Sequence, residues 1–389
     1  MPAYRIKNTR SRILMPLVNF FGYAIWGWSR LSAPPLNQVF PKKILVLLLD
    51  EIGDVLLATP ALHRLRKIYP QAKIAVAVRR PGYAILSANP DIDDLILVDL
   101  PRFSARPSGL LADLKNIKKA LPVLMSRLKE PYDLGLDLRA DLRTIYLLKK
   151  IGLPIRVSQS IRGGGFWLTH IPPYHGELHE AERKLEIVNF LRPNFNEKVD
   201  GKLRIAVAPE KKRQARLHLS NSGITESHKF AVIHPFAGWP PKQWPAERFA
   251  EISRYLAIKH RLKVVIIGAP QDKPAADKIV SLSNQDGVVS LAGAIDLKTT
   301  AAIIEHASLF IGNDSGPMHL ACAVQTPVIA LFGQNTPHRY GPWQNKNITL
   351  YHQVECSPCP QTECRRRPNC LELISIDEVM KAIVTLLPK

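Results

Sequence analysis

The sequence predicts an α/β protein built from two doubly wound, Rossmann-like halves. Short continuous apolar runs such as Lys43–Leu49 (KILVLLL), Phe230–His234 and Val328–Phe332 have the composition of strands buried on both faces of a parallel sheet. Stretches of helical periodicity separate them, giving strand–helix–strand order. The alternation breaks around residues 202–228 and then restarts, so the chain reads as two units. Its 389 residues are enough for each unit to bury its own core.

In the first half, the turn Asp50-Glu51-Ile52-Gly53-Asp54 leads from the opening strand into a helix with apolar Leu56, Leu57, Leu62, Leu65 and Ile68. Lys73–Val78 and Leu95–Val98 read as strands, Leu110–Leu128 as a long basic helix, and Leu134–Leu138 as another strand. Residues 206–228, rich in Lys, Arg and Ser, read as a solvated linker. In the second half the strands are Phe230–His234, Lys263–Ile267, Leu309–Ile311 and Val328–Phe332. Its helices are Ala246–Lys259, Ala275–Ser283, Thr299–His306, Met318–Val324 and Ile376–Leu387. The domain plan is therefore an arm over 1–40, a first domain over 41–205, the linker, and a second domain over 229–389.

With 53 Lys and Arg against 33 Asp and Glu, the net charge of +20 calls for an anionic partner: nucleic acid, an acidic membrane, or a phosphorylated ligand. Residues 1–43 hold seven basic residues and no acid. Inside this arm lies an uncharged run, Ile13 to Trp28, with Phe20, Phe21, Tyr23, Trp26 and Trp28. It is shorter than the roughly 20 residues a spanning helix needs. An interfacial anchor on an anionic membrane is the preferred reading; a signal peptide and a helix packed on the body are the alternatives. Nucleic acid is disfavoured, since no zinc finger, RNP motif or helix-turn-helix signature occurs and the basic residues are spread rather than striped.

Cys356, Cys359, Cys364 and Cys370 form a C-x2-C-x4-C-x5-C cluster, compatible with structural zinc, with two disulfides, or with plain thiols. Cys322, in an apolar helical stretch, is expected in the core.

The turns at strand ends carry the unusual residues, and ligands of such folds sit at the carboxyl ends of strands. Only one glycine occurs between Asp50 and Thr59, so the dinucleotide fingerprint is absent and a nicotinamide cofactor is disfavoured. Asp54 is either an N-cap or a general base facing an acceptor hydroxyl. The turn Asn313-Asp314-Ser315-Gly316 before Pro317-Met318-His319 offers backbone amides and a helix N-terminus to a phosphate, with His319 as a further donor. Lys242, near Trp244, could neutralise a diphosphate and Asp272 could bind ribose hydroxyls, although taken alone each reads more readily as a solvated surface residue. Asp91-x-Asp93 forms a D-x-D but reads as an ordinary loop.

Together, Asp50-Glu51-Ile52-Gly53-Asp54 with Thr59-Pro60-Ala61-Leu62, Lys242-x-Trp244, Asn313 to His319, and Leu331-Phe332-Gly333 resemble glycosyltransferase family 9, the ADP-heptose:lipopolysaccharide heptosyltransferases. The resemblance covers about residues 42–388. His179, in His179-Glu180-Ala181-Glu182-Arg183, matches a further position. The resemblance implies a GT-B fold, with the acceptor bound by the first lobe and the nucleotide sugar by the second, across a cleft. It implies inversion at the anomeric carbon with Asp54 as base. Lys242, Asp314, Ser315, Gly316 and His319 would hold the donor, with Asp272 a weaker transfer. It requires no metal or cofactor for catalysis. The expected partners are ADP-heptose, a lipid-linked core acceptor and an anionic membrane surface, on the cytoplasmic face of the inner membrane. The competing readings are a relative using another nucleotide sugar and a nucleotide-sugar epimerase on the same fold.

Overall fold

The computed structural model describes residues 19–25, 32–99, 110–128, 130–359 and 363–387. Contacts divide the chain between Gly201 and Lys202 into two units.

The first unit is organised around β1 (Lys43–Leu48), whose residues after Lys43 are all buried. β2 (Lys73–Val78) pairs with it in parallel from Lys43 opposite Lys73 to Leu48 opposite Val78. β4 (Leu134–Asp137) lies on its other side. A strand flanked on both edges and covered on both faces has no solvent side, which is why the run carries no polar alternation. β3 (Asp94–Leu97) and β5 (Ile155–Val157) complete a five-stranded parallel sheet in the order β3-β2-β1-β4-β5. Leu45, Leu47, Ala75, Leu124 and Leu147 meet in the core on one face.

The second unit is a six-stranded parallel sheet in the order β11-β10-β9-β6-β7-β8. Its strands are β6 (Phe230–His234), β7 (Lys263–Ile266), β8 (Val288–Ser290), β9 (Leu309–Asn313), β10 (Val328–Phe332) and β11 (Asn347–Tyr351). The last helix, Ile376–Leu386, starts with a Ser375–Glu378 capping box and buries Val379, Ile383 and Leu386 against this sheet's core. Strand order reverses between β1 and β4 in the first unit and between β6 and β9 in the second. Loops diverge to opposite faces at such points and leave room for a ligand.

One expectation needs correction. The stretch 206–228 is not simply a solvated linker: Pro209–Asn221 is a helix, with Pro209 in its first turn and Ala215 and Leu219 buried. It packs on the helix Leu297–His306 of the second unit. Its charges hid it, because only two small apolar positions face inward. Among the described residues no three His, Cys, Asp or Glu side chains are arranged to hold a metal. Cys356 is exposed, while Cys370 is buried against Gly333. Cys322 lies in the core, where burial pushes its thiol up to about 12.

Of the arm, only residues 19–25 and 32–40 are described, and residues 19–25 are helical; the rest of the Ile13–Trp28 run lies outside the described residues. No helix among the described residues is long and apolar enough to cross a membrane.

Candidate functional site

The first unit concentrates charge where β1, β4 and β5 end. After β1 the chain turns through Asp50 into a short helix, Ile52–Leu56, whose N-cap is Glu51. Asp54 therefore sits inside the first turn and does not cap the helix. Its side chain is 39% exposed, on a helix whose Val55 and Leu56 are fully buried. Burying those two anchors while leaving the acid in solvent fixes the direction in which the carboxylate points.

Opposite Asp54 stands Lys184. The helix Glu180–Asn189 packs on the helix Thr59–Ile68, tied by Arg64 Nε donating to Asn189 Oδ1 at 2.8 Å. This packing brings Lys184 Nζ to 3.9 Å from Asp54 Oδ1 and 3.4 Å from Glu180 Oε2. Lys184 is only 1% exposed, so its ammonium depends on these two acids to offset lost hydration. Glu180 in turn accepts from Arg183 Nε at 2.8 Å, and Arg183 donates to Leu138 O and Gln159 Oε1. His179 caps this helix, its Nδ1 accepting from Ala181 N at 3.3 Å.

A second layer lies behind. Arg139 pairs with Asp50 and approaches Asp141 at 3.6 Å, and Arg143 grips Asp141 through Nε at 2.7 Å. Burial and the charge of Asp54 raise the Asp50 carboxyl above the usual range, against the pull of Arg139 and Lys184. Burial opposes the charge on Arg139, yet Asp50, Asp141 and Asp54 outweigh it and hold the guanidinium above its ordinary value. Asp137 is pushed up to about 6 by burial. Buried titratable groups of opposite sign around one half-exposed carboxylate are the electrostatic pattern of a reaction site.

In the second unit the residues gather where β6, β9 and β10 end. Ser315 is the N-cap of the helix Gly316–Ala323, and Pro317 occupies its second position. Asn313 is fully buried; its Nδ2 donates to Pro235 O at 2.7 Å, and its Oδ1 accepts from Trp244 N at 3.2 Å. One side chain thus joins the ends of two strands and orients the segment leading to Lys242. Lys242 Nζ lies 2.5 Å from Asp314 Oδ2, which also accepts from Asn335 Nδ2 at 2.7 Å. Ser315 Oγ and His234 Nδ1 are 3.1 Å apart. His319 is buried on the same helix. Lys242, Asp314, Ser315, Gly316 and His319 therefore belong to one end of one sheet.

Asp272 lies in the turn that follows β7, the neighbour of β6 in the same sheet. Its Oδ2 accepts from Ala269 N at 2.9 Å and closes its own turn after β7. The D-x-D is likewise structural: Asp91 pairs with His63 at 3.0 Å, and Asp93 with Arg66.

Sequence reasoning missed Lys184, Arg139, His234 and Asn335. A buried lysine on a helix rich in charged residues leaves no signal, because its periodicity is that of a solvated face. Arg139 could have been found: Asp137-Leu138-Arg139-Ala140-Asp141 alternates charge directly after a strand, where a structural turn has no need of it.

Comparison with known proteins identifies the family. Residues 123–369, more than half of the chain, match the model of glycosyltransferase family 9 (heptosyltransferase). Lipopolysaccharide heptosyltransferase 3 of Escherichia coli K12 is 30% identical, the match covering 87% of this chain and 96% of that protein. The crystal structure of a family 9 glycosyl transferase from Veillonella parvula superposes with a TM-score of 0.74 at 28% identity, covering 89% of this chain and 97% of the other. The structure of E. coli ADP-heptose lps heptosyltransferase II gives 0.70 at 21% identity over 88% and 98%, a likeness of fold alone. The chain belongs to glycosyltransferase family 9, the heptosyltransferases.

Proposed function

We propose that this glycosyltransferase moves a heptose from ADP-heptose to a hydroxyl of the lipopolysaccharide inner core, inverting the anomeric centre. The donor is inferred from the names borne by its relatives, and the chemistry from its own residues. Asp54 takes the proton of the acceptor hydroxyl, whose oxygen attacks the anomeric carbon. The bond from that carbon to the β-phosphate oxygen breaks, and ADP leaves with the electron pair. Charge building on the leaving diphosphate is met by Lys242 and by the amides at the start of the helix Gly316–Ala323. Asp314 holds Lys242 in place until the diphosphate competes for it. Ser315 and His319 complete the donor site.

The observation that carries this reading is the half-exposed Asp54 carboxylate at the end of β1, set against buried Lys184 and with no capping duty. Work on a lipid-linked acceptor fits a peripheral position on the cytoplasmic face of the inner membrane, with the basic arm against the anionic leaflet.

The test is a donor screen against delipidated core acceptor, read by mass spectrometry. Addition of one heptose from ADP-heptose, and not from other nucleotide sugars, is expected. Asp54→Asn should lower turnover at least about a hundredfold while ADP binding stays near normal. Near-normal turnover in that variant would remove Asp54 as the base.

A further inference from the structure

The first unit has a cavity of about 570 Å³ at the edge of its sheet opposite Asp54. It opens beside the starts of β1, β4 and β5, about 20 Å from the catalytic turn across a six-residue strand. Its walls are of two kinds: Val39, Phe40 and Pro154 are apolar, whereas Lys149, Arg156 and Asp133 are charged. Asp133 is already committed, one carboxylate oxygen accepting from Lys42 N at 2.7 Å and Lys43 N at 2.9 Å.

Arg156 is the unusual member. It is 5% exposed, and its hydrogen bonds run to main-chain carbonyls: Nε to Trp167 O at 2.6 Å, Nη1 to Leu153 O and to Pro154 O at 3.5 Å. Its Nη2 is buried with no partner, and no carboxylate pairs with it among the described residues. Burial alone pulls its pKa below the ordinary arginine range, as expected of a cation without a counter-ion. Lys149, on the same cavity, also makes no ion pair among the described residues. A buried guanidinium with an unused donor is costly unless an acceptor arrives.

The surroundings say which acceptor. Phe40 is 78% exposed at the mouth of the cavity. Residues 19–25 lie against Phe166 through Gly22 and Tyr23, leaving Phe20 at 70% and Phe21 at 60% exposure. Phe166 stacks on Trp167, whose carbonyl holds Arg156, so the exposed phenyl rings and the guanidinium hang on one short segment. Exposed aromatic rings, with the Arg192 guanidinium 4.8 Å from the centre of the Phe40 ring, beside unpaired basic groups and following an arm with seven positive charges and no acid, match the apolar and anionic layers of a membrane surface.

We propose that this cavity is a lipid-docking site in which Arg156 and Lys149 bind the terminal phosphate of an anionic lipid while Phe40 lies along its acyl region. Arginine suits the task because its planar fork can meet two phosphate oxygens at once. The proposal rests on the peripheral-membrane reading above and adds a headgroup preference that general charge attraction does not give.

Vesicle sedimentation of the full chain tests it. Three vesicle types are used: pure phosphatidylcholine, an equal mixture with phosphatidic acid, and a phosphatidylserine mixture adjusted to the same surface charge. Wild-type protein should bind phosphatidic acid vesicles about tenfold more tightly than the charge-matched phosphatidylserine ones. Lys149→Glu and Arg156→Gln should each abolish that preference while retaining weaker charge-driven binding, with transfer to delipidated acceptor unchanged. Should Arg156→Gln fail to fold, the partly exposed Lys149→Glu decides. Equal wild-type binding to both anionic vesicles would overturn the site and leave peripheral association standing. Binding to neither would overturn both. Calorimetry with inorganic phosphate separates the sources: phosphate bound through Lys149, without vesicle discrimination, would overturn the lipid assignment in favour of a free-phosphate site.

Discussion

His234 shows how burial alone sets the chemistry of a side chain. It ends β6, is 7% exposed, and burial pulls its imidazole down to about 4, so it stands neutral beside Ser315 at physiological pH. Unfolded, the same ring takes a proton near 6.5. Between these values the unfolded chain binds more protons, so stability falls as pH drops. The loss reaches about 3 kcal/mol by the time pH reaches 4. Thermal unfolding across this window should show wild type losing stability through this group and His234→Gln lacking that component; parallel pH profiles would exclude His234 as its source. At this scale the sequence was informative where chemistry is local. Asp54 and Asp314 stood out as candidates because acids in turns at strand ends are conspicuous, and Lys242 became one through the family resemblance. Lys184 and His234 were not, because their roles come from partners 130 and 81 residues away in the chain.

At the scale of elements, the apolar runs were the most legible feature. Lys73–Val78, Phe230–His234 and Val328–Phe332 have the boundaries their composition predicts, since a strand buried on both faces must be apolar from end to end. Helices that bury polar pairs were the least legible. The helix Glu180–Asn189 buries Glu180, Arg183 and Lys184, and a pattern search reads those as solvent-facing. The helix Pro209–Asn221 escaped for a related reason, with only Ala215 and Leu219 buried under a charged surface. Close packing between strands also leaves a testable mark. A Cβ at Gly312 on β9 would lie 2.9 Å from the main-chain oxygen of His234 on the neighbouring strand. Backbone cannot rotate away as a side chain can, so Gly312→Ala should cost about 1–3 kcal/mol, seen as a lower denaturation midpoint. Loss of donor affinity should accompany it, because the displaced strand end carries Asn313 and Asp314. An unchanged midpoint would show that the two strands tolerate separation.

For the whole molecule, the dominant quantity is the +20 charge. It is what remains after local pairing: in the first unit Arg139, Arg143, Arg183 and Lys184 are already matched by the buried acids Asp50, Asp141 and Glu180. The first 43 residues have seven basic residues and no acid, so about a third of the excess sits in the arm. If that arm holds the protein on an anionic surface, raising salt from about 0.1 to about 1 M, which shortens the screening length from about 10 to about 3 Å, should release it from phosphatidylserine vesicles. Retention at high salt would mean that the exposed aromatic residues, and not charge, dominate the attachment.

By itself the sequence determined the two parallel-sheet units, their central strands and the family to which the chain belongs, while the edge strands Ile155–Val157, Val288–Ser290 and Asn347–Tyr351 went unread. These follow from continuous apolar runs and from short polar motifs at strand ends, all of which are local in the chain. Tertiary structure alone decided which charges meet. It set Lys184 against Asp54, joined Asp314 to both Lys242 and Asn335, tied Asp91 to His63 and Asp93 to Arg66, and left Arg156 without an acid among the described residues. Coulomb and hydrogen-bond energies depend on distances of a few ångströms and on burial, and neither is encoded by spacing along the chain.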